Sequence, residues 1–277
     1  MYTLSEILHE AQQDFGVAPL DSELLLARLL DIRREDIIAH PERPVTVMQR
    51  DDFLLDCQRR SRGEPLAYLL GFKEFYGLPL HVDRRVLIPR PETELLVDIA
   101  RELAAGMSAP KLCDVGTGSG CIAVALAKHL PHVRIIASDI SDDALLVARK
   151  NVHLHGVVEN VELVQSDLLE QFREHPFDGV VANLPYIGRL EHHLVGKDVM
   201  EYEPNVALFG GDEGTELIEK LFLHIAQLRH MPQWCIGEMG FLQKEKVEKI
   251  VRRYLPHAVI NFKQDLAGLD RVFIITL

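Results

Sequence analysis

Apolar side chains recur at helical spacing through the first seventy residues, and glycine or proline interrupts the pattern between segments. Residues such as Leu4, Ile7 and Ala11 would share one face of a helix. The helices predicted from this spacing and from capping residues begin at Thr3 or Ser5, Asp21, Arg34, Thr46 and Pro65. Residues 1–72 are therefore predicted to form a small helical bundle of their own.

The periodicity changes at Lys73, where apolar and polar residues begin to alternate. Such alternation is typical of strands with one buried face, and Gly77 is a turn residue between two of them. We therefore expect a β-hairpin within residues 73–87. It would link the helical bundle to a second domain, residues 88–277.

Short apolar runs alternate with segments of helical length from Lys111 onward. Strands separated by helices are typical of a parallel sheet with right-handed crossovers. The predicted strands are Lys111–Val115, Arg134–Ser138, Val161–Gln165, Phe177–Ala182 and Trp234–Gly237, followed by a hairpin of Val259–Lys263 and Arg271–Thr276. The predicted fold class is thus α/β, with a mostly parallel sheet that ends in an antiparallel C-terminal hairpin.

The amino-acid composition argues against several classes of protein. The 277 residues carry a formal net charge of −12, which argues against a general nucleic-acid binder. The four cysteines form no Cys-x-x-Cys pair, so neither a zinc site nor a disulfide framework is expected, and a reduced cytoplasmic setting fits. The sequence predicts no signal peptide and no membrane span.

One glycine-rich turn follows the first predicted strand of the sheet, Asp114-Val115-Gly116-Thr117-Gly118-Ser119-Gly120. Its glycines allow a tight turn and a close approach of a ligand to the backbone. The spacing is neither that of the dinucleotide fingerprint nor that of a P-loop. Asp114 would repel a pyrophosphate but suits a cationic ligand such as S-adenosylmethionine, which carries a sulfonium and an ammonium group.

Two further strand ends add to this candidate site. Asp139 follows the second strand, where a carboxylate can accept hydrogen bonds from ribose hydroxyls. Ser166-Asp167-Leu168 follows the third strand and could meet an adenine. The glycine loop and the acidic strand end together predict a cofactor site rather than a structural turn.

Asn183-Leu184-Pro185-Tyr186 follows the buried fourth strand, which asparagine and proline cannot continue. The asparagine oxygen can accept a hydrogen bond from an NH2 group, backbone carbonyls can accept again, and Tyr186 offers a face for stacking. The turn is therefore suited to a flat, uncharged amide or amine. An ordinary turn with a packed tyrosine is the alternative.

A second candidate substrate segment is Ile88-Pro89-Arg90-Pro91-Glu92-Thr93-Glu94, where two prolines stiffen the entry into a helix. A helix entered in this way could lay Arg90, Glu92 and Thr93 over a pocket. Simple capping of the helix by its glutamates is the alternative interpretation.

These residues together resemble the class I S-adenosylmethionine-dependent methyltransferases, and among them the peptide chain release factor glutamine methyltransferases, the HemK/PrmC family. The resemblance covers nearly the whole chain. Beyond Asp114–Gly120, Asp139 and Asn183–Tyr186, the matching motifs are Gly63–Tyr68, Phe75–Leu78, Ile88–Glu94, Phe177-Asp178, Glu203-Pro204, Ala207–Gly211 and Asp265–Gly268. The Ile88–Glu94 segment is the most family-specific of them.

The resemblance implies a Rossmann-like catalytic domain, a helical N-terminal domain that recognises the substrate, and S-adenosylmethionine as cofactor. It implies methylation of the glutamine in the Gly-Gly-Gln loop of class I release factors. The candidate catalytic residues are Asn183, Leu184, Pro185 and Tyr186. The candidate cofactor-binding residues are Asp114, Gly116, Thr117, Gly118, Ser119, Gly120, Asp139, Asp167, Leu168 and Asn183. The candidate substrate-binding residues are Arg90, Pro91, Glu92 and Thr93, with Asn183 to Tyr186; no metal is expected.

This chain departs from the family pattern at Leu184, where the family usually has proline. The backbone carbonyl is the group that matters there and is retained, but the fixed φ of proline is lost, so we expect a less preorganised turn. The family often has an aromatic residue at Leu168, and a leucine cannot stack on adenine in the same way.

Three other functions share parts of this pattern: a ribosomal-protein glutamine methyltransferase, an N(6)-adenine methyltransferase of nucleic acids, and a non-catalytic binding module. The acidic net charge argues against the nucleic-acid enzyme. Arg59, Arg60 and Arg62 are weak candidates for docking a partner, and a solvated helix face is the favoured interpretation. The resemblance suggests a monomer.

Overall fold

The computed structural model describes residues 2–277, with the side chains of residues 191, 192 and 194 left out. The chain divides into two compact units. The first contains residues 2–72 and Gly196–Tyr202, and the second contains Lys73–Val195 and Glu203–Leu277. The hairpin that was predicted as a linker thus lies in the second unit.

The helices are α1 (Leu4–Phe15), α2 (Pro19–Leu30), α3 (Arg34–Ala39), α4 (Val47–Ser61), α5 (Leu66–Leu70), α6 (Glu94–Leu103), α7 (Cys121–His129), α8 (Asp142–Leu154), α9 (Lys197–Tyr202), α10 (Asn205–Leu208), α11 (Glu216–Ala226) and α12 (Lys244–Tyr254). A 3-10 turn, Pro91–Thr93, leads into α6. No helix in the described part of the chain is both long and apolar enough to cross a bilayer.

The strands are β1 (Tyr2–Thr3), β2 (Pro44–Val45), β3 (Phe72–Phe75), β4 (Leu78–His81), β5 (Lys111–Val115), β6 (Arg134–Asp139), β7 (Val161–Gln165), β8 (Gly179–Ala182), β9 (Ile187–Gly188), β10 (Phe209–Gly211), β11 (Trp234–Glu238), β12 (Val259–Gln264) and β13 (Asp270–Thr276). Strands β9 and β10, which form a short parallel pair, were not predicted from the sequence.

Local capping explains where the first helices begin. The Thr3 hydroxyl accepts from Glu6 N at 3.2 Å, and Thr3 N donates to the Glu6 carboxylate at 2.8 Å, which closes a capping box at the start of α1. The predicted cap at Asp21 is wrong, because α2 already begins at Pro19. Proline suits the first helical position, since the N–H that it lacks would have no partner there.

The basic residues of α4 make ion pairs within the helical unit. Arg59 donates from Nε and Nη2 to the two carboxylate oxygens of Glu64, both at 2.9 Å. Arg60 donates from Nε to Asp21 at 2.7 Å. The Arg60 contact joins α4 to α2, and the Arg59 contacts join α4 to the turn that follows it, which favours a structural role over a docking surface for both residues.

The second unit contains a seven-stranded sheet in the order β12-β13-β11-β8-β5-β6-β7. Strands β11, β8, β5, β6 and β7 are parallel, and β13 runs antiparallel to both β11 and β12. This confirms the predicted α/β class with its antiparallel C-terminal hairpin. The crossovers that parallel strands require are supplied by the intervening helices.

Side-chain alternation along the central strands divides the core of this unit between the two faces of the sheet. Leu112 and Val181 pack on the face that includes α6 and α7, whereas Cys113 and Val180 pack on the face with α11 and α12. Because the central strands are covered on both sides, they carry almost no polar residue until they end. The polar groups that the central strands do carry lie at the strand ends, where they are available to a ligand.

Candidate active site

The carboxyl ends of four neighbouring strands bring the polar candidates to one edge of the sheet. In spatial order, β11 ends at Glu238, β8 leads into Asn183, β5 leads into the glycine loop, and β6 ends at Asp139. The chain order reverses between β8 and β5, and ligands bind at such a switch point in open α/β sheets. Strand β11 is one residue longer than predicted, which places Glu238 in this row.

The glycine loop has the left-handed backbone that its composition predicts. Gly116, Gly118 and Gly120 have φ values of +73°, +55° and +80°. A Cβ on Gly116 would lie 3.0 Å from Leu184 Cδ2, and one on Gly120 would lie 3.2 Å from Ala148 Cβ. A Cβ on Gly118 would meet no atom within 4 Å, because this glycine faces the open space of the cavity.

Asp139 ties the loop to the neighbouring strand. Its Oδ2 accepts from Gly118 N and its Oδ1 accepts from Ser141 N, both at 2.9 Å. Burial raises the pKa of Asp139, and these backbone donors partly offset that effect. Each oxygen retains a lone pair, so the carboxylate can accept further hydrogen bonds from a ligand in the cavity.

Asp114 lies beneath the loop, and it is not one of the residues that line the cavity. Its Oδ2 accepts from the Thr117 hydroxyl at 2.6 Å, while its buried Oδ1 has no partner within the described residues. Burial raises the pKa of Asp114 to about 7, although the Thr117 hydroxyl and the backbone N–H of Ala123 favour the charged form. Asp114 thus supports the loop through Thr117, which does line the cavity.

A cavity of about 460 Å³ runs along this edge from the glycine loop to Asn183. Its volume lies in the range of ordinary small-molecule sites. The Ser166 hydroxyl is buried in its wall and has no hydrogen-bond partner in the part of the chain that the structure describes. With the Asp139 carboxylate and the open face of Gly118, this unpartnered hydroxyl fits a polar, nucleoside-like ligand such as S-adenosylmethionine.

Asp167 and Leu168 border the cavity beyond Ser166. The Asp167 carboxylate pairs with the Lys220 ammonium of α11. Leu168 has φ = +51°, an uncommon conformation for a branched side chain, and it is buried in the core behind the cavity. Strained backbone of this kind clusters at ligand sites.

The other end of the cavity is built by hydrogen bonds among side chains. Asn183 Nδ2 donates to Thr93 Oγ1 at 2.9 Å, and the Thr93 hydroxyl donates to Glu238 Oε2 at 2.7 Å. The Tyr186 hydroxyl donates to the second oxygen, Glu238 Oε1, at 3.0 Å. Asn183 and Thr93 line the cavity, whereas Tyr186 and Glu238 lie behind them.

Leu184 and Pro185 both line the cavity, yet the Leu184 side chain is also buried in the core and touches the position of Gly116. The turn is held from behind as well. Gln243 Nε2 donates to the Tyr186 carbonyl at 2.7 Å, and a Cβ on Gly210 would lie 2.1 Å from the Pro185 carbonyl. Burial and backbone packing therefore restrain the turn where the proline ring of the family pattern is missing.

The Ile88–Glu94 segment is only partly in the site. Arg90 and Thr93 line the cavity, whereas Pro91 and Glu92 are exposed and do not. The segment is anchored by the buried Glu203, which accepts from Ile88 N at 3.1 Å and pairs with the Arg90 guanidinium. Two of the four predicted substrate residues are thus brought to the cavity.

Sequence reasoning missed the residues that hold the site from behind, chiefly Glu238 and Glu203. For Glu238 a signal existed, because a carboxylate at the end of the buried run from Trp234 repeats the argument made for Asp139. For Glu203 the only signal was the Glu203-Pro204 motif of the resemblance. Its contacts with Ile88 and Arg90 join positions more than a hundred residues apart.

A second cavity, of about 500 Å³, lies at the opposite edge of the sheet. It is lined by residues at the amino ends of β5, β6 and β7, including Lys111, Arg134 and Val161. It contains neither a glycine-rich turn nor any of the candidate site residues. The functional assignment therefore concerns the first cavity.

Two domain families match the chain: the PrmC N-terminal domain over residues 4–71 and the methyltransferase small domain over residues 92–206. The release factor glutamine methyltransferase of Koribacter versatilis is 36% identical over 98% of this chain and 95% of its own length. That of Chlorobaculum tepidum is 44% identical over 72% of this chain and 70% of its own length.

Among solved structures, the N-terminal domain of human METTL16 in complex with SAH superposes with a TM-score of 0.54 at 18% identity. The match covers 91% of this chain and 93% of the human chain. At this identity the likeness concerns the fold alone. The relatives named above establish the family, and the chain therefore belongs to the release factor glutamine methyltransferases, enzymes whose methyl donor is S-adenosylmethionine.

Proposed function

We propose that this protein transfers a methyl group from S-adenosylmethionine to the side-chain amide nitrogen of the glutamine in the Gly-Gly-Gln loop of peptide chain release factors. The relatives are release factor glutamine methyltransferases, which supports a release factor glutamine as the substrate. The most direct structural support is the Asn183 amide in the cavity wall. Because its Nδ2 donates to Thr93, its Oδ1 is directed away from Thr93 and is available to accept from an NH2 group.

Orientation is the main task of the amide end. S-adenosylmethionine would supply an electrophilic methyl group and leave as S-adenosylhomocysteine, and one amide proton would pass to solvent after the transfer. A glutamine amide nitrogen is a poor nucleophile because its lone pair is delocalised into the carbonyl. Asn183 Oδ1 and the Leu184 carbonyl accept the two amide hydrogens and hold the nitrogen in line with the methyl group. Both acceptors also stabilise the positive charge that grows on the nitrogen. Pro185 fixes the turn, and the Tyr186 hydroxyl holds the turn to Glu238 from behind the cavity wall.

The cofactor end works through backbone and carboxylate groups. Gly116 to Gly120 let the ligand approach the main chain, with Thr117 and Ser119 completing the loop. Asp139 accepts hydrogen bonds from the ribose hydroxyls. Asp167 and Leu168 border the adenine, and Asp114 supports the loop from below.

The two domains divide the work. The helical domain, residues 1–72, recognises the release factor, and residues 88–277 carry the reaction. The enzyme acts as a monomer in the cytoplasm on a protein substrate, without direct contact to nucleic acid. Arg90 and Thr93 border the bound glutamine loop.

A labelling assay tests this function. The purified full-length chain is incubated with tritiated S-adenosylmethionine and, separately, a release factor, its Gln-to-Ala loop variant, ribosomal protein, and DNA. We expect label in the release factor and none in the loop variant. Label in ribosomal protein or DNA but not in the release factor would identify one of the alternative enzymes. Absence of label in every substrate, with S-adenosylmethionine still bound, would support a non-catalytic module.

A further inference from the structure

Glu238 is a buried carboxylate that the mechanism above does not use. It is 3% exposed and ends the central strand β11, next to the strand that leads into Asn183. Its two oxygens each accept one hydroxyl, from Thr93 at 2.7 Å and from Tyr186 at 3.0 Å. A buried charged group is costly unless it is hydrogen-bonded, and these two hydroxyls are the donors that satisfy the carboxylate.

The direction of each hydrogen bond follows from the charge on Glu238. An ionised carboxylate can only accept, so the Thr93 hydroxyl must donate its single proton to Glu238. Thr93 Oγ1 can then only accept from Asn183, which requires that the Asn183 NH2 group face Thr93. The planar amide consequently presents its oxygen to the cavity.

We propose that Glu238, acting through Thr93, is the positioning residue that keeps the Asn183 amide with its oxygen toward the substrate. This inference rests on the proposed function, because the oriented oxygen matters only if the ligand is an amide NH2 group. The Asn183 amide is symmetric in shape, and a flip would replace the acceptor by a donor with no change in packing. When Glu238 is ionised it can only accept, so Thr93 must donate to it and that alternative is excluded.

The Tyr186 hydroxyl is the second arm of the same arrangement. Because it also donates to Glu238, one carboxylate fixes groups on both sides of the Asn183–Tyr186 turn. Thr93 comes from the turn that precedes α6, 90 residues before Asn183. The Glu238 carboxylate therefore connects two distant segments at the amide end of the cavity by hydrogen bonds.

Some groups around Glu238 raise its pKa and others lower it. Burial raises the pKa of Glu238, its hydrogen bonds and Arg271 lower it, and Glu92 raises it. The Cys121 thiol of α7 also lies near this charge, and burial raises the pKa of that thiol to about 12, so it stays neutral. Protonation of Glu238 at low pH would let it donate a proton to Thr93, and the Thr93 hydroxyl could then turn to donate to Asn183. The orientation of the Asn183 amide would then no longer be fixed.

A matched pair of Thr93 variants tests the relay with release factor as substrate. Thr93→Val keeps the shape but removes the hydroxyl, and we expect kcat to fall about 10- to 100-fold, as it does when the groups that orient metal ligands are removed from metalloenzymes. The KM for release factor and the Kd for S-adenosylmethionine should stay within about threefold. Thr93→Ser retains the hydroxyl and should recover most of kcat.

Glu238→Gln tests the charge itself. Protonated Glu238 and a glutamine are both neutral groups that can donate, so the ratio of wild-type to variant kcat should be large at high pH. It should approach one as the pH falls through the pKa of Glu238. Groups that titrate in the same way in both proteins cancel in this ratio. If the substitution acted only by disturbing the structure, the ratio of the two kcat values would not depend on pH.

Three outcomes would overturn the inference while leaving the proposed function intact: Thr93→Val with wild-type kcat, Thr93→Ser as impaired as Thr93→Val, or a kcat ratio for Glu238→Gln that does not change with pH. Circular dichroism melts and cofactor titrations show which variants are folded. If Thr93→Val does not fold, Thr93→Ser and Glu238→Gln decide the question. If wild-type enzyme fails to methylate the release factor, the proposed function itself fails.

Discussion

The two ends of the cavity are built in different ways. The cofactor end is contiguous in sequence: Asp114 to Gly120 form one turn, and its shape is fixed by glycines with positive φ and by backbone donors to Asp139. The amide end is assembled from three separate segments: the turn before α6 contributes Thr93, the turn after β8 contributes Asn183 and Tyr186, and the end of β11 contributes Glu238.

This difference predicts different responses to mutation. A backbone-built site resists most side-chain changes except at its glycines and its acceptor carboxylate. A site built from a chain of side-chain hydrogen bonds depends on every member, because an unsatisfied buried partner costs about 1–3 kcal/mol. Substitutions at the amide end should therefore reduce kcat, and substitutions at the cofactor end should weaken cofactor binding.

Asn183→Ala is expected to show the largest difference between its effect on kcat and its effect on cofactor binding. Removal of one preorganised group that faces the reacting atoms costs about 10²- to 10³-fold in kcat. We expect a loss of this size in methyl transfer to release factor, measured at saturating S-adenosylmethionine. The cofactor Kd, measured by calorimetry, should stay within severalfold, since Gly116 to Gly120 and Asp139 are untouched. Turnover near that of wild type would remove Asn183 from the mechanism.

The same contrast explains how much the sequence could predict. Strand β5 and the glycine loop were predicted because one contiguous pattern encodes them, and Asp139 was predicted because it comes at the end of the next strand. The class of the fold followed from alternating strands and helices, and α2 was misplaced only because Pro19 precedes the predicted cap. Thr93 was predicted from its motif to lie over a pocket, but its hydrogen bonds with Asn183 and Glu238 were not predicted.

The contacts behind the amide end could not be predicted, because they join positions far apart in the chain. Glu238 lies 145 residues from Thr93 and 52 residues from Tyr186. No local periodicity in the sequence relates residues so far apart in the chain. Predicted strand ends also vary by one or two residues, and an end predicted at Gly237 leaves Glu238 outside the strand. Sequence reasoning therefore identified the cavity and its ligand class better than it identified the residues that orient the ligand.

Asp139→Ala is expected to have a smaller effect, and to weaken cofactor binding rather than lower kcat. Hydrogen bonds to charged groups contribute about 1.5–3 kcal/mol each, so losing the carboxylate should weaken the Kd for S-adenosylmethionine about 10- to 100-fold. At saturating cofactor, kcat should remain within severalfold of wild type. Asp139→Asn is the matched control, because it keeps one acceptor for the backbone donors. Unchanged affinity of the alanine variant in calorimetry would refute the ribose assignment.

The smallest effect is expected for Leu184→Pro, which restores the residue of the family pattern at the point where the two ends meet. The residue before Pro185 is already biased toward extended backbone, where proline is compatible. The proline ring closes onto the backbone nitrogen and cannot reach the core positions of the two leucine methyl groups, which costs about 0.8 kcal/mol per group, and the stiffer unfolded chain returns about 0.4–1 kcal/mol. The unfolding free energy should therefore fall by about 1 kcal/mol, and kcat should change by less than about threefold.

Leu184→Ala is the control for that substitution. It removes the buried isobutyl group of the leucine without adding a restraint, and it should lower the unfolding free energy by about 2–5 kcal/mol, the range for a buried leucine. Chemical denaturation and single-turnover methyl transfer distinguish the two variants. If Leu184→Pro lost activity as severely as Asn183→Ala, the leucine side chain would be a specific part of the amide end. Burial of Leu184 beside Gly116 would then do more than replace the stiffness of a proline ring.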